Sequence, residues 1–281
     1  MEKVAAVILN YNSAKDCQKC VEYLVQQEYA DFSIIIVDNN SSATGEQSKL
    51  DSIKEQYGVT LINQKENGGF SAGNNVGLRY AVNNLDADWC LVINPDVEIR
   101  DKNYISYTIN ESRKWEDAVV IGTNVVLPTG VQQNPMPEKT RNQEIFWMFE
   151  MIRKKIRKKA PLNIPSKTEY CEKICGCCFF IKSSFLQQID FLDENVFLYC
   201  EEPILASRIK HNGKKALFIP GITAYHQHIE KEKSGRRKDK MLMMINSRIY
   251  WIKKYSDYGK FGRKIAVFSK MIERLFWKLV G

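Results

Sequence analysis

The chain has 281 residues, 44% of them hydrophobic and 26% charged, with a formal charge of +8. That length and apolar content exclude a disordered tail and suffice for one large core or for two lobes sharing one. No run approaches the roughly 20 apolar residues of a membrane span, and no secretory leader pattern opens the chain, so a cytoplasmic protein is expected. Eight cysteines in that setting read as reduced thiols rather than a disulfide framework.

The first hundred residues alternate short β-branched runs with helical stretches, the pattern of a mostly parallel sheet with crossover helices. Strands are expected at Val4–Leu9, Phe32–Val37, Val59–Asn63 and Trp89–Ile93, and helices near Asp16–Gln27, Glu46–Gln56 and Ser71–Asn84. Shorter strands follow at Ala118–Gly122 and Val125–Val131, then a polar turn around Asn134-Pro135-Met136-Pro137 and an apolar run from Ile174 to Ile181. A helix is expected from Pro203 to Lys210, opened by proline and closed by Gly213. A strand at Ala216–Ile219 and the segment Ile222–His226 complete the body. Beyond Gly235 the chain reads as helical and basic. The expected division is residues 1–100 and 101–230 as two halves of one domain, and 231–281 as a helical basic extension.

In an open parallel sheet, ligands sit outside the carboxyl ends of the strands, where loops and helix N-termini converge. Here those ends are Asn10-Tyr11-Asn12-Ser13, Asp38-Asn39-Asn40-Ser41-Ser42, Asn67-Gly68-Gly69-Phe70 and Asn94-Pro95-Asp96. Any one of them is most often a turn or a helix cap. Four on one edge, with plainer turns such as Asp31 and Gly58 opposite, point to a binding crevice.

In order along residues 3 to 230, these segments resemble glycosyltransferase family 2, particularly its rhamnosyltransferase-like members. The likeness continues through Gly176-Cys177-Cys178-Phe179-Phe180-Ile181-Lys182, Tyr199-Cys200-Glu201-Glu202 and the segment ending at His226. The resemblance implies an α/β GT-A fold, with a mostly parallel Rossmann-like sheet and a mixed sheet on the acceptor side. It also implies a nucleotide-diphosphate sugar donor and a divalent metal.

Two segments compete for the metal-gripping aspartate motif. Asp86-Ala87-Asp88 precedes the fourth strand, on the edge away from the crevice, and reads as a solvated turn; Asp96 follows that strand and is the expected metal ligand. His226, at the place of the family's late histidine, is its expected partner, with His228 as the nearby competitor. One carboxylate, an imidazole and two phosphate oxygens suit Mg²⁺ or Mn²⁺. The resemblance places the nucleotide at Asn10, Asn12, Asp38 and Asn40, with Asp38 able to accept from the imide N–H of uracil or thymine, hence a UDP- or dTDP-sugar. The loop Asn67-Gly68-Gly69 and the helix carrying Asn74 are expected to offer backbone N–H groups to the donor.

Inverting transfer needs a carboxylate to remove the acceptor proton. The family usually has Glu-Asp where this chain has Glu201-Glu202, so the resemblance places the base on Glu202, one methylene longer than usual, beside Glu201. Ahead of a helix starting at Pro203, the helix dipole would favour the ionised form. Ile204 replaces a common acid, while Arg208 matches the usual arginine.

Cys17-x-x-Cys20 and Cys175-Gly176-Cys177-Cys178 have the look of zinc ligands, but a helix and an apolar strand favour buried thiols over metal knuckles. The runs Ile145–Phe149 before Arg153–Lys159, Tyr250–Lys254, and Leu275–Lys278 mix aromatics with charge. They fit equally contact with an anionic membrane surface, with a glycan or lipid-linked acceptor on its inner face, or core-facing helices with a solvated basic side. Two other functions compete. A sugar nucleotidyltransferase would need a Gly-rich, Arg- and Lys-bearing loop after the first strand, where Asn-Tyr-Asn-Ser stands. A basic nucleic-acid-binding protein leaves Asp38, Asp96 and Glu202 without a purpose, so no nucleic-acid partner is expected.

Overall fold

In the computed structural model, residues 1–156, 164–227 and 236–280 are described. The lysine-rich stretch at 157–159 and His228 lie outside them. A nine-stranded sheet runs through the described residues in the order β3-β2-β1-β4-β8-β6-β9-β5, with β7 beside β9. Its first part is parallel: β1 (Val4–Asn10) lies between β2 (Phe32–Asp38) and β4 (Trp89–Ile93), and β3 (Thr60–Asn63) flanks β2. The crossovers are α1 (Ala14–Leu24), α2 (Glu46–Tyr57) and α3 (Gly69–Asn84). β1 and β4 read as continuous apolar runs because both faces are covered.

The second part is mixed. β8 (Cys178–Lys182) runs antiparallel to β4 and to β6 (Ala118–Val126), and β6 runs parallel to β9 (Lys215–His226). Among the boundaries that differ from expectation, three bear on the crevice. β6 is one strand, its pairing with β9 shifting register between Thr123 and Asn124, so a bulge takes the place of the expected break. The apolar run from Ile174 becomes a strand only at Cys178, because Cys175-Gly176-Cys177 turns toward the crevice. Helix α8 (Glu201–His211) begins two residues early, with Cys200 at φ +68° ahead of it, so both glutamates lie in its first turn.

After β5 (Val97–Glu98) and α4 (Tyr104–Ser112), the chain adds α5 (Arg141–Ile145), α6 (Trp147–Ile156), β7 (Glu169–Cys171), α7 (Ser183–Gln188) and the pair α9 (Arg236–Lys254) and α10 (Lys260–Val280). The aromatic, basic runs divide by burial, and the core-facing reading holds for part of them. Trp251 and Ile252 are buried with Val196, Ile204 and Ala266 in a core shared with the catalytic body. Phe149 and Leu275, by contrast, are 71% and 57% exposed. A buried ion network fastens the pair: fully buried Glu144 on α5 meets Arg248 of α9 and Lys270 of α10, and Arg248 also reaches Glu138. Burial alone would push Glu144 up, but Arg248 and Lys270 outweigh it and hold its carboxyl below the ordinary range.

Candidate active site

The carboxyl ends of β1 and β2 are joined by side chains rather than left open. Buried Asn10 donates through Nδ2 to Asp38 Oδ1 at 2.9 Å and to Ser41 Oγ at 3.1 Å. Asp38 also accepts from the Ser41 N–H at 3.0 Å and from its hydroxyl at 2.5 Å. Asn12, at φ +54°, accepts through Oδ1 from the N–H groups of Ser42 and Ala43 at 2.9 and 2.8 Å. Asn40, also left-handed at φ +61°, is exposed. Asn and Asp tolerate this backbone better than most residues, which accounts for the run of asparagines.

Asn39, not singled out in the sequence, is the residue that ties this edge to β3's loop. Its Nδ2 donates to Asn67 Oδ1 at 2.9 Å and to the Gly69 carbonyl at 3.1 Å, and its Oδ1 accepts from Gly68 N–H at 3.2 Å. The N–H of Gly69 reaches Asn67 Oδ1 at 3.0 Å, and that of Phe70 reaches the Phe197 carbonyl at 2.9 Å. The loop is expected to offer N–H groups to a donor; those of Gly68, Gly69 and Phe70 here point to protein acceptors. Gly69 has a different purpose. At φ +84°, a Cβ there would lie 2.1 Å from the Phe197 carbonyl oxygen, so only glycine lets the 197 segment lie on this loop. Buried Asn74, on α3, donates to the Phe70 carbonyl at 2.9 Å, while its Oδ1 has no hydrogen-bond partner among the described residues.

Asp96 and His226 come together because β5 pairs antiparallel with the end of β9, setting Val97 opposite His226. Gln227 N–H closes the junction on the Asp96 carbonyl at 2.8 Å. His226 Nε2 lies 3.3 Å from Asp96 Oδ1, and Nδ1 faces Gln133 Oε1 at 2.7 Å. In the neutral ring, Nδ1 carries the hydrogen toward Gln133, and Nε2 turns its lone pair toward the carboxylate. An imidazole lone pair and a carboxylate oxygen converging on one point form a donor set that fits a divalent cation. Among the described residues no third His, Cys, Asp or Glu joins them. Asp86, by contrast, is exposed near Lys3 on the far edge, and Asp88 accepts from the Lys3 N–H.

The cysteine turn links this pair to the glutamates. Asn94 N–H donates to the Cys177 carbonyl at 2.8 Å, Cys177 Sγ lies 3.9 Å from Gln133 Oε1, and Gly176 N–H points at Glu202 Oε1 from 3.4 Å. Fully buried Asn134 braces the turn, accepting from Cys175 N–H at 2.7 Å and donating to the Thr123 carbonyl at 2.9 Å. The thiols themselves are core: Cys17, Cys20, Cys177 and Cys178 are buried, and burial pushes Cys17 and Cys178 up to about 12. Such thiols are poor zinc ligands.

Glu201 and Glu202 line a pocket with Phe70, Ser71, Lys173 and Gly176. Burial, and then the neighbouring Glu202 charge, raise Glu201 to about 7. Its Oε1 is buried with no hydrogen-bond partner among the described residues. The helix dipole was expected to keep this pair ionised; at Glu201 desolvation wins instead. The loop leading into the pair is held from α9. Asp193 Oδ2 accepts from the hydroxyls of Tyr250 and Tyr255 and from Lys254 Nζ at 3.1 Å, and Ser247 Oγ donates to the Leu198 carbonyl at 2.9 Å.

A doubly covered parallel half and a mixed half, with a carboxylate-histidine pair where β5 meets the end of β9, define a GT-A type α/β protein. The family profile described as glycosyl transferase family 2 matches residues 5–189, and the chain belongs to that family. It is 28% identical over 205 residues to the low-salt glycan biosynthesis hexosyltransferase Agl10 of Haloferax volcanii, an alignment covering 72% of this chain and 60% of that protein. The chain thus spans about 60% of that relative's length. Two solved structures share the fold. The mannosyltransferase PcManGT from Pyrobaculum calidifontis, in complex with GDP-Man and Mn²⁺, superposes with a TM-score of 0.62 at 12% identity, covering 99% of this chain and 76% of that one. TarS 1–349 of S. aureus in complex with UDP-GlcNAc gives 0.58 at 14% identity, covering 99% and 72%.

Proposed function

We propose that this chain is an inverting hexosyltransferase. It moves rhamnose or another hexose from a UDP- or dTDP-sugar to an acceptor hydroxyl on a lipid-linked or cell-surface polysaccharide precursor. The observation that carries the reading is the approach of Asp96 to His226 where β5, just after β4, pairs with the end of β9, linked through the Cys175–Cys177 turn to Glu202. Asp96 and His226 would hold Mg²⁺ or Mn²⁺, and the cation supplies countercharge to the departing diphosphate. Gln133 orients the imidazole so that Nε2 stays a lone-pair donor. Asn12 and Asp38, with Asn10 and Asn40 around them, form the base and ribose wall.

Glu202 accepts the proton of the acceptor hydroxyl as its oxygen attacks the anomeric carbon, and the diphosphate leaves from the opposite face. Glu202 is preferred over Glu201 because it lies against Gly176, on the turn tied to the Asn94-Pro95-Asp96 segment. Glu201, raised to about 7, is the neighbour whose protonation lessens repulsion within the pair. The relative that acts as a hexosyltransferase and the neighbours solved with GDP-Man and UDP-GlcNAc support the same class of reaction. A thermal-shift screen of nucleotide sugars with and without Mn²⁺, followed by product analysis with the best donor, tests it. Stabilisation by at least one uridine or thymidine diphosphate sugar is expected; none would overturn the reading.

A further inference from the structure

Helix α10 has two apolar sides with different fates. One packs inward: Ala266 is fully buried, Ser269 Oγ donates to the Ile145 carbonyl at 2.6 Å, and Lys270 meets buried Glu144. The other points out. Phe261, Ile265, Phe268, Ile272, Leu275 and Leu279 follow one another at steps of four and three residues, and they are 77, 36, 66, 46, 57 and 76% exposed. At 1.5 Å per residue this stripe runs about 27 Å along one helix face. It continues onto α6, whose Trp147 ring lies tilted against Phe276 of α10, centroids 5.5 Å apart, and whose Phe149 and Ile152 are exposed. Soluble surfaces rarely leave so long a continuous apolar patch without a partner.

The charge around the stripe says what the partner is. Residues 236–280 hold thirteen of the 41 Lys and Arg but three of the 33 Asp and Glu, a net of +10, against −2 for the rest of the chain. Exposed Lys260, Lys264 and Lys278 fall on one flank of the stripe at helical spacing. A second copy of this face would set one strongly basic helix against another, whereas an anionic bilayer offers hydrocarbon for the stripe and phosphate for the lysines. No helix among the described residues is long and apolar enough to cross a membrane. An amphipathic helix with phenylalanine and leucine on one face and lysine beside them instead lies in the headgroup layer.

We propose that α10, with the exposed edge of α6, docks the protein on an anionic lipid bilayer, lying in the plane of the interface. The surface stands apart from the sugar chemistry. It nonetheless belongs to the helical pair that holds Asp193 and Leu198, and so places the loop entering Glu201 and Glu202 beside the lipid.

Flotation of the chain with phosphatidylcholine vesicles, alone or mixed with phosphatidylglycerol, tests the proposal without any need for turnover. Wild type should float with the mixed vesicles only, and added salt should weaken it. Replacing three lysines (Lys260→Gln, Lys264→Gln, Lys278→Gln) should lower partitioning on the order of a hundredfold. A fourfold variant (Phe261→Ser, Phe268→Ser, Leu275→Ser, Leu279→Ser) should stay in the aqueous phase while unfolding at the wild-type temperature. Wild type indifferent to phosphatidylglycerol, or a fourfold variant that floats like wild type, would overturn it. So would a wild-type dimer in solution that the fourfold variant turns into monomer with no flotation, which would assign the stripe to a second copy.

Discussion

The crevice edge of the sheet and the α9–α10 pair handle polarity in opposite ways. At the crevice, Asn10, Asn12, Asp38 and Asn39 satisfy one another and the loops beside them, so polar side chains build a surface whose backbone is fixed before any ligand arrives. In the helical pair, Glu144, Arg248 and Lys270 are turned inward and the large apolar side chains outward. The first arrangement holds its geometry in advance, as the proposed donor site needs. The second fastens its inside by ions and leaves large apolar side chains outside, as the proposed docking face needs.

Substitutions in each region should break that contrast differently. The largest effect is expected from Glu202→Gln, which should lower the transfer rate by on the order of 10²–10⁴ while donor binding, read by thermal shift, survives. Donor binding lost along with turnover would make Glu202 a binding residue instead. In the helical pair, Arg248→Met leaves Glu144 buried without its main countercharge and should cost about 3–5 kcal/mol in chemical denaturation. A change below about 1 kcal/mol would show that Lys270 alone neutralises Glu144. Gly69→Ala forces Cβ against the Phe197 carbonyl at a left-handed position, and should cost about 1–3 kcal/mol and weaken turnover with it.

Glu201 gives a test with a definite sign. Its folded pKa is raised to about 7, so the folded state binds its proton more tightly than the unfolded chain, and this contribution to stability falls as pH rises from the ordinary carboxylate range through about 7. Glu201→Gln should therefore raise stability at pH 8, by on the order of 2 kcal/mol, and do little at pH 5. An equal change at both pH values would mean that packing, not charge, is at work. The smallest effect is expected from Phe268→Ser, within about 0.5 kcal/mol in unfolding because the ring touches solvent already.

The parallel half was legible because its strands are apolar on both faces and its helices periodic: β2 and β4 start where expected, and β4 also ends there. Asp96 could be chosen over Asp86 and Asp88 because its place follows from strand direction alone. Gln133, Asn134 and Asn39 could not be seen in the same way. Each sits in a polar turn like any other, and its role depends on partners such as His226, Cys175 and Asn67 that lie far away in the chain. The raised pKa of Glu201 escapes the sequence for the same reason, since the helix start is visible there and the burial is not. That the chain beyond Gly235 is helical and basic is legible in the sequence, but only the fold shows that α10 turns Ala266 and Ser269 inward and Phe268 and Leu275 outward.

The most direct test is titration of a UDP- or dTDP-hexose into wild type, Asp96→Ala and Glu202→Gln, each with and without Mn²⁺. Mn²⁺ should tighten donor binding in wild type and Glu202→Gln but have no effect in Asp96→Ala. Equal, metal-independent donor binding by all three would contradict the assignment of Asp96 and His226 as the place where cation and diphosphate meet.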